Sequence, residues 1–180
     1  MAILLVGSIG CDLKQKSDAR TTEIAMRADS TTYTILNESE IQSIPFYDTS
    51  QYAIFPVSYA RLFLGDAQQA TLNEKEILVI ECAVRKSVTL YNDRRGAFLI
   101  DLKKYKRQYF PGITASGNLE VWVRCIREDV IENFSRSSTP YDWRKDNKVI
   151  HDGGDGVFSL KVNLTTHKTY DFVTNGSETL

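Results

Sequence analysis

The stretch LEVWVRCIR at residues 119–127 decides the fold. Every second residue from Leu119 to Cys125 is apolar, and the positions between them include the charged side chains of Glu120 and Arg124. Because successive side chains of a strand point to opposite faces of its sheet, this alternation predicts a strand that lays one face on the core. Such one-face alternation is typical of antiparallel sheets.

Further segments extend the predicted sheet on both sides of this strand. The alternation recurs in VFSLKVNL at residues 157–164. Pro56 cannot donate a ladder hydrogen bond, so the segment that contains it is predicted at an edge of the sheet. Residues 66–74 are predicted to be a polar loop or a weak helix. Strand-like composition marks six further segments, namely Tyr33–Leu36, Tyr52–Val57, Tyr59–Leu64, Ile77–Val84, Val88–Tyr91 and Tyr170–Thr174.

Two short helices interrupt the predicted strands. One spans Leu102–Phe110, with Asp101 as its N-cap and Pro111 as its stop, and the other spans Glu128–Phe134. Helices and strands do not follow the regular strand–helix–strand order that is typical of a parallel sheet. The sequence therefore predicts an α+β fold, a single compact domain dominated by an antiparallel β-sheet with a few short helices.

Length and composition fit one domain. The chain has 180 residues, of which 42% are hydrophobic and 25% are charged, a globular and not a disordered composition. Residues 1–30 are predicted to be an N-terminal arm, and residues 31–180 a β-rich globular domain. Three cysteines are too few for a disulfide framework. Cys82 and Cys125 lie in apolar segments, which predicts buried free thiols and a cytoplasmic location.

Residues 85–110 concentrate the positive charge of the chain. They contain eight Lys or Arg against two Asp, a net charge of +6, although the whole chain carries −1. Lys and Arg pair with phosphates, and the aromatic rings between them can stack on bases or lie at the headgroup layer of a membrane. The predicted partner-binding residues are Arg85, Lys86, Arg94, Arg95, Lys103, Lys104, Tyr105, Lys106, Arg107 and Tyr109.

Two other interpretations of this segment remain open. A helix with Leu102, Tyr105 and Tyr109 turned inward would show its lysines to solvent for solubility alone. An acidic protein surface is a second class of partner that the same charges would fit. The sequence has no recognition helix and no aromatic RNA-binding consensus.

Residues that could carry catalysis are sparse. The two histidines, His151 and His167, belong to no motif. Asp152 and Asp155 could offer oxygen ligands to a metal, but the Gly-Gly-Asp-Gly run that contains Asp155 is typical of a turn before a strand. We therefore expect a protein that is not an enzyme and has no cofactor, no metal and no small-molecule substrate.

A metal-dependent nuclease is the minor alternative. Asp101 and Lys103 would supply a metal ligand and a group that positions water, with Glu81 as a second carboxylate. Asp101 is explained equally well as a helix cap.

The N-terminal sequence supports a different class of function. Residues 1–11 are apolar but too short to span a bilayer, which needs about 20 residues. The run Ser8-Ile9-Gly10-Cys11 resembles a bacterial lipoprotein cleavage box, in which Cys11 would be lipidated. The alternative function is therefore an exported or lipid-anchored β-domain that binds a protein or glycan partner.

Residues 74–95 and 154–171 resemble the small matrix proteins of plant-infecting rhabdoviruses. The resemblance rests on the chain length, on the segment Lys75–Arg85 that leads into an arginine turn, and on the late strand Val157–Leu164. It implies a non-enzymatic structural protein that forms a homo-oligomer and binds ribonucleoprotein or an anionic membrane surface. The implied location is cytoplasmic, peripheral at a membrane or within a virion.

Overall fold

The computed structural model describes residues 34–42, 48–95, 99–136, 140–148, 150 and 153–175. The predicted boundary between an arm at 1–30 and a domain at 31–180 lies outside these residues. The helices within them are α1 (Glu38–Gln42), α2 (Arg61–Leu64), α3 (Glu74–Arg94) and α4 (Glu128–Ser135). The strands are β1 (Thr34–Ile35), β2 (Tyr52–Ile54), β3 (Gln68–Gln69), β4 (Tyr105–Ile113), β5 (Leu119–Arg127), β6 (Gly154–Asn163) and β7 (Lys168–Asn175).

One sheet organises the described part of the chain. Its strand order is β1-β7-β6-β5-β4-β2, and β3 pairs with the other end of β4. All of the pairings are antiparallel except that of β2 with β4. The predicted α+β domain with a dominant antiparallel sheet is therefore confirmed.

Strand β5 has the two faces that its alternation predicts. Val121, Val123 and Cys125 belong to the buried cluster that includes α3, which we call the inner face of the sheet. Trp122 belongs to a cluster on the opposite, outer face, and Arg124 alternates with the inner residues in the same way. The predictions for residues 119–127, 157–164, 170–174 and 128–134 are confirmed as β5, β6, β7 and α4.

Helix α3 replaces the two strands predicted at Ile77–Val84 and Val88–Tyr91, and those predictions are wrong. Asn73 and Glu76 form a capping box in which each side chain accepts from the backbone N–H of the other, which satisfies two N–H groups at the helix start. The buried positions 77, 80, 84, 88 and 91 recur every three or four residues, the spacing of one helix face. This face packs on the inner side of the sheet.

Strand β4 replaces most of the helix predicted at Leu102–Phe110, and that prediction is also wrong. The Asp101 side chain does accept from the backbone N–H of Lys103, but it caps only a single 3-10 turn. The chain then extends between β5 on one side and β2 and β3 on the other. Both faces of β4 are covered, since Tyr105 and Tyr109 belong to the inner cluster and Phe110 belongs to the outer one.

The segment before α3 covers part of the outer face. Tyr59–Leu64, predicted as a strand, instead belongs to the 3-10 turn Val57–Ala60 and to α2, so that prediction is wrong. The strand predicted at Tyr52–Val57 is shorter, and β2 lies at the sheet edge as predicted, with Pro56 two residues beyond its end. Buried side chains of this segment pack against Phe110 and Trp122. The outer face is therefore only partly covered.

Candidate binding surfaces

The ten predicted partner-binding residues do not form one surface. They are distributed over α3, the 3-10 turn Leu102–Lys104 and β4. Tyr105, Arg107 and Tyr109 alternate along β4 and point to the inner face, where all three are buried. Helix α3 covers this face, so these three side chains are not accessible at the surface as the predicted contact with a partner requires.

Arg107 and Tyr109 belong to a buried network with Glu81 of α3. The Nε of Arg107 lies 3.2 Å from Oε1 of Glu81 as an ion pair, and Nη1 of Arg107 donates to the carbonyl oxygen of Tyr105 at 3.1 Å. The hydroxyl of Tyr109 donates to the same Oε1 of Glu81. Burial, followed by the negative charge of Glu81, raises the pKa of Tyr109 well above its usual value. This network fixes the helix to the sheet.

Two more of the predicted cations are neutralised. Lys86 pairs with Glu40 of α1 at 2.7 Å. Lys106 pairs with Glu128 at the start of α4 at 2.8 Å, and its ammonium also donates to the side chain of Gln51 at 2.8 Å. The positive charges of Lys86 and Lys106 are therefore compensated by carboxylates of the same chain.

Four of the predicted cations gather at the C-terminal end of α3. The side chain of Asn92 donates to the carbonyl oxygen of Ile100 at 3.0 Å and accepts from its N–H at 2.9 Å. These two bonds hold the end of the helix beside the turn that carries Lys103 and Lys104. We call the four residues Arg94, Arg95, Lys103 and Lys104 the basic corner. Arg85 is exposed further back along α3.

Apolar, aromatic and acidic side chains surround the basic corner. Leu90 is partly exposed and Leu99 is 64% exposed. The guanidinium of Arg95 lies over the ring of Tyr91, 5.0 Å from its centroid. Asp93 and Asp101 are exposed as well, so the corner with its two acids carries a net charge of +2.

The residues proposed for metal chemistry are separated or engaged elsewhere. Glu81 lies in the buried network, so it is not available as a ligand beside exposed Asp101, as the nuclease alternative requires. The Oδ1 of Asp155 accepts from the hydroxyl of Tyr91 at 3.0 Å. Its predicted neighbours His151 and Asp152 lie outside the described residues. Within the described ranges, no group of three or more His, Cys, Asp and Glu side chains is placed to hold a metal.

Cys82 and Cys125 are free and buried, as predicted. Burial raises the pKa of both thiols, which removes the thiolate that a nucleophile needs. Cys11 lies outside the described residues, so its lipidation stays a prediction.

A cleft that sequence reasoning did not find lies on the outer face of the sheet. Its volume is about 730 Å³, and we call it the outer cleft. Trp122 and Arg124 of β5 and Ser159 and Lys161 of β6 line it, in two neighbouring cross-strand pairs. Tyr59, Leu62 and Phe63 line it from the covering segment, Asn147 and Ile150 from a loop, and Asp171, Val173 and Asn175 from β7.

Several apolar side chains of the outer cleft are exposed. The ring of Phe63 stacks on Trp122, with 3.7 Å between the centroids and 10° between the planes. Leu62 is 95% exposed, and Tyr59 and Val173 are also exposed. A group of large apolar side chains left open to water commonly marks a binding site.

Among the helices of the described residues, none combines the length and the apolar character needed to cross a membrane. Comparisons with protein-family models, with curated proteins and with solved structures find no match. The resemblance to rhabdovirus matrix proteins therefore stays a prediction.

Proposed function

We propose that the protein is a non-enzymatic, matrix-like interaction protein that attaches to an anionic membrane surface through the basic corner. The observation that carries this proposal is the pair of hydrogen bonds between Asn92 and the backbone of Ile100. They place two cationic pairs that are distant in sequence, Arg94-Arg95 and Lys103-Lys104, at one end of α3. The exposed Leu99 lies between these pairs in the sequence.

The number of cationic residues in the basic corner sets the free energy of membrane binding. Each Lys or Arg near an anionic leaflet contributes about 1 kcal/mol. Four such residues reach about 4 kcal/mol, which corresponds to a dissociation constant near 1 mM, and Asp93 and Asp101 oppose them. One copy therefore binds weakly and reversibly. Self-association is part of the proposal, because several corners on one assembly multiply the effective affinity.

A lipid surface fits the basic corner better than ribonucleoprotein does. Exposed leucines beside the cations can enter the boundary between headgroups and acyl chains, where apolar groups are stabilised. Stacking on RNA bases needs exposed rings, but Tyr105 and Tyr109 are buried and Tyr91 lies beneath Arg95. Ribonucleoprotein binding is therefore the competing outcome of the test.

Co-sedimentation with lipid vesicles tests the proposal. The test variant replaces all four residues of the basic corner with Gln. The control variant replaces four other exposed cations with Gln, so that both variants lose the same formal charge; they are Arg61, Lys75, Arg136 and Lys145. Vesicles of phosphatidylserine with phosphatidylcholine, vesicles of phosphatidylcholine alone and single-stranded RNA are compared at low salt and at about 0.5 M salt.

We expect the unaltered chain and the control variant to sediment with the phosphatidylserine vesicles at low salt only, since salt screens exposed charges. We expect the corner variant to stay in the supernatant. Equal binding of the two variants would contradict the role of the corner. Binding to RNA but not to vesicles would replace the membrane with ribonucleoprotein as the partner.

A further inference from the structure

Arg124 is a buried cation without a carboxylate partner. Its side chain is almost fully enclosed, with the residue 6% exposed. Its Nε and Nη2 donate to Oε1 of Gln108, and its Nη1 donates to the carbonyl oxygen of Lys148 at 3.0 Å. These acceptors are neutral. Within the described part of the chain, no Asp or Glu oxygen lies within 4.0 Å of the guanidinium.

The guanidinium is held in one place. The amide nitrogen of Gln108 donates to the carbonyl oxygens of Trp143 and Asp146, at 2.5 and 3.1 Å. This fixes the orientation of Gln108, so its side-chain oxygen faces Arg124. A donor that is already positioned loses little freedom when it binds a ligand.

The electrostatics of the outer cleft favour an anion. Its described lining contains two cations, Arg124 and Lys161, and one carboxylate, Asp171. Asp171 pairs with Lys161 at 3.0 Å, so no carboxylate of the described lining compensates the charge of Arg124. Burial destabilises the charged form and lowers the pKa of Arg124. A bound anion would offset that cost, because an ion pair is favoured where water is excluded.

The remainder of the outer cleft is suited to an apolar group. The stacked rings of Phe63 and Trp122 and the exposed Leu62 lie near Arg124 in the same cleft. A volume of about 730 Å³ is within the range of sites for small molecules. Three of the five N–H groups of Arg124 are engaged, so Nη1 and Nη2 each keep one N–H for the two oxygens of a carboxylate.

We propose that the outer cleft binds a small organic carboxylate with an apolar body. Arg124 receives the carboxylate, and Leu62, Phe63 and Trp122 contact the body. The site is independent of the basic corner, and it departs from the sequence-based expectation of a protein without small-molecule chemistry.

A matched pair of probes tests the proposal. Naphthalene-2-acetic acid and naphthalene-2-acetamide have nearly the same shape, but only the acid carries a charge at neutral pH. Each is titrated into the ¹⁵N-labelled chain while the indole N–H resonance of Trp122 is followed by NMR. The variants Arg124→Gln and Leu62→Asp are compared with the control variant Lys75→Gln, which removes an exposed cation outside the cleft.

We expect both probes to shift the Trp122 resonance, with the acid binding at least tenfold more tightly than the amide. Arg124→Gln should bring the two affinities within about twofold of each other, and Lys75→Gln should change neither. Leu62→Asp should weaken both probes; since Leu62 is almost fully exposed, this variant keeps its fold even if Arg124→Gln does not. Equal affinities for acid and amide in the unaltered chain, or no shift of Trp122 with either probe, would overturn the proposal.

Discussion

Two buried arginines on opposite faces of one sheet differ in what surrounds them. Arg107 of β4 is 7% exposed and faces α3, where the Glu81 carboxylate compensates its charge. Arg124 of β5 is 6% exposed and faces the outer cleft, where its acceptors are the neutral oxygens of Gln108 and Lys148. The comparison shows that burial alone does not identify the role of an arginine. Arg107 joins two elements of the fold, whereas Arg124 keeps a charge that a ligand can use.

The largest expected effect comes from breaking the Arg107 pair. Arg107→Met leaves the Glu81 carboxylate buried without a cation, so we expect the free energy of unfolding to fall by about 3–5 kcal/mol. Urea denaturation followed by circular dichroism measures this change. The double variant Glu81→Gln/Arg107→Met removes both charges and should recover part of the loss. A loss below about 1 kcal/mol for Arg107→Met would show that the pair does not hold α3 on the sheet.

A smaller effect is expected for the matching change on the outer face. Arg124→Met removes the hydrogen bonds from the guanidinium to Gln108 and to the carbonyl oxygen of Lys148, which costs about 1–3 kcal/mol. It also removes a desolvated charge, and it leaves no carboxylate uncompensated. The same urea experiment should therefore give a smaller loss than Arg107→Met. An equal or larger loss would mean that Arg124 is a structural residue like Arg107.

The stability of the protein should depend on pH through the buried thiol of Cys125 on the inner face. Cys125 lies opposite Arg107 in the ladder and is fully buried, and burial raises the pKa of its thiol in the folded chain. The folded state therefore keeps a proton that the unfolded state releases above a pKa of about 9.0. The resulting stabilisation is complete below that pH and is lost as the pH rises above it.

Cys125→Ala removes this titrating group. Between about pH 9.5 and 10.5, the stability of the variant should fall less steeply than that of the unaltered chain, by about 1.4 kcal/mol per pH unit. Urea denaturation at several pH values measures both slopes. Identical slopes would contradict a thiol that stays protonated in the core.

Strands β5 and β6 in the middle of the sheet could be predicted because apolar residues recur at every second position along their inner faces. The alternation in β5 and β6 survives in the structure, and so does the assignment of Arg124 to the face opposite Val123. Helix α3 was missed because Ile77–Val84 is rich in β-branched and apolar residues, which also suit a strand. The capping box of Asn73 and Glu76 was the local signal that could have identified the helix start.

The candidate sites were less predictable, because they depend on which strands become central. Residues 105–109 consist of two tyrosines with Lys106, Arg107 and Gln108 between them, and in isolation these polar side chains suit a solvated surface. Helix α3 covers the inner face of β4, where Arg107 forms an internal ion pair with Glu81 instead of the predicted contact. The outer cleft depends on how far residues 57–64 reach over the sheet, which no local pattern specifies.

The side-chain Nε–H resonances of Arg107 and Arg124 give the most direct test of the difference between the two arginines. Their ¹H–¹⁵N signals are assigned with the variants Arg107→Lys and Arg124→Lys. The signals are then followed as naphthalene-2-acetic acid is added to the unaltered chain. We expect the Arg124 signal to shift until the site is saturated and the Arg107 signal to stay in place. A shift of both signals, or of neither while the acid is bound, would contradict the difference between the two arginines.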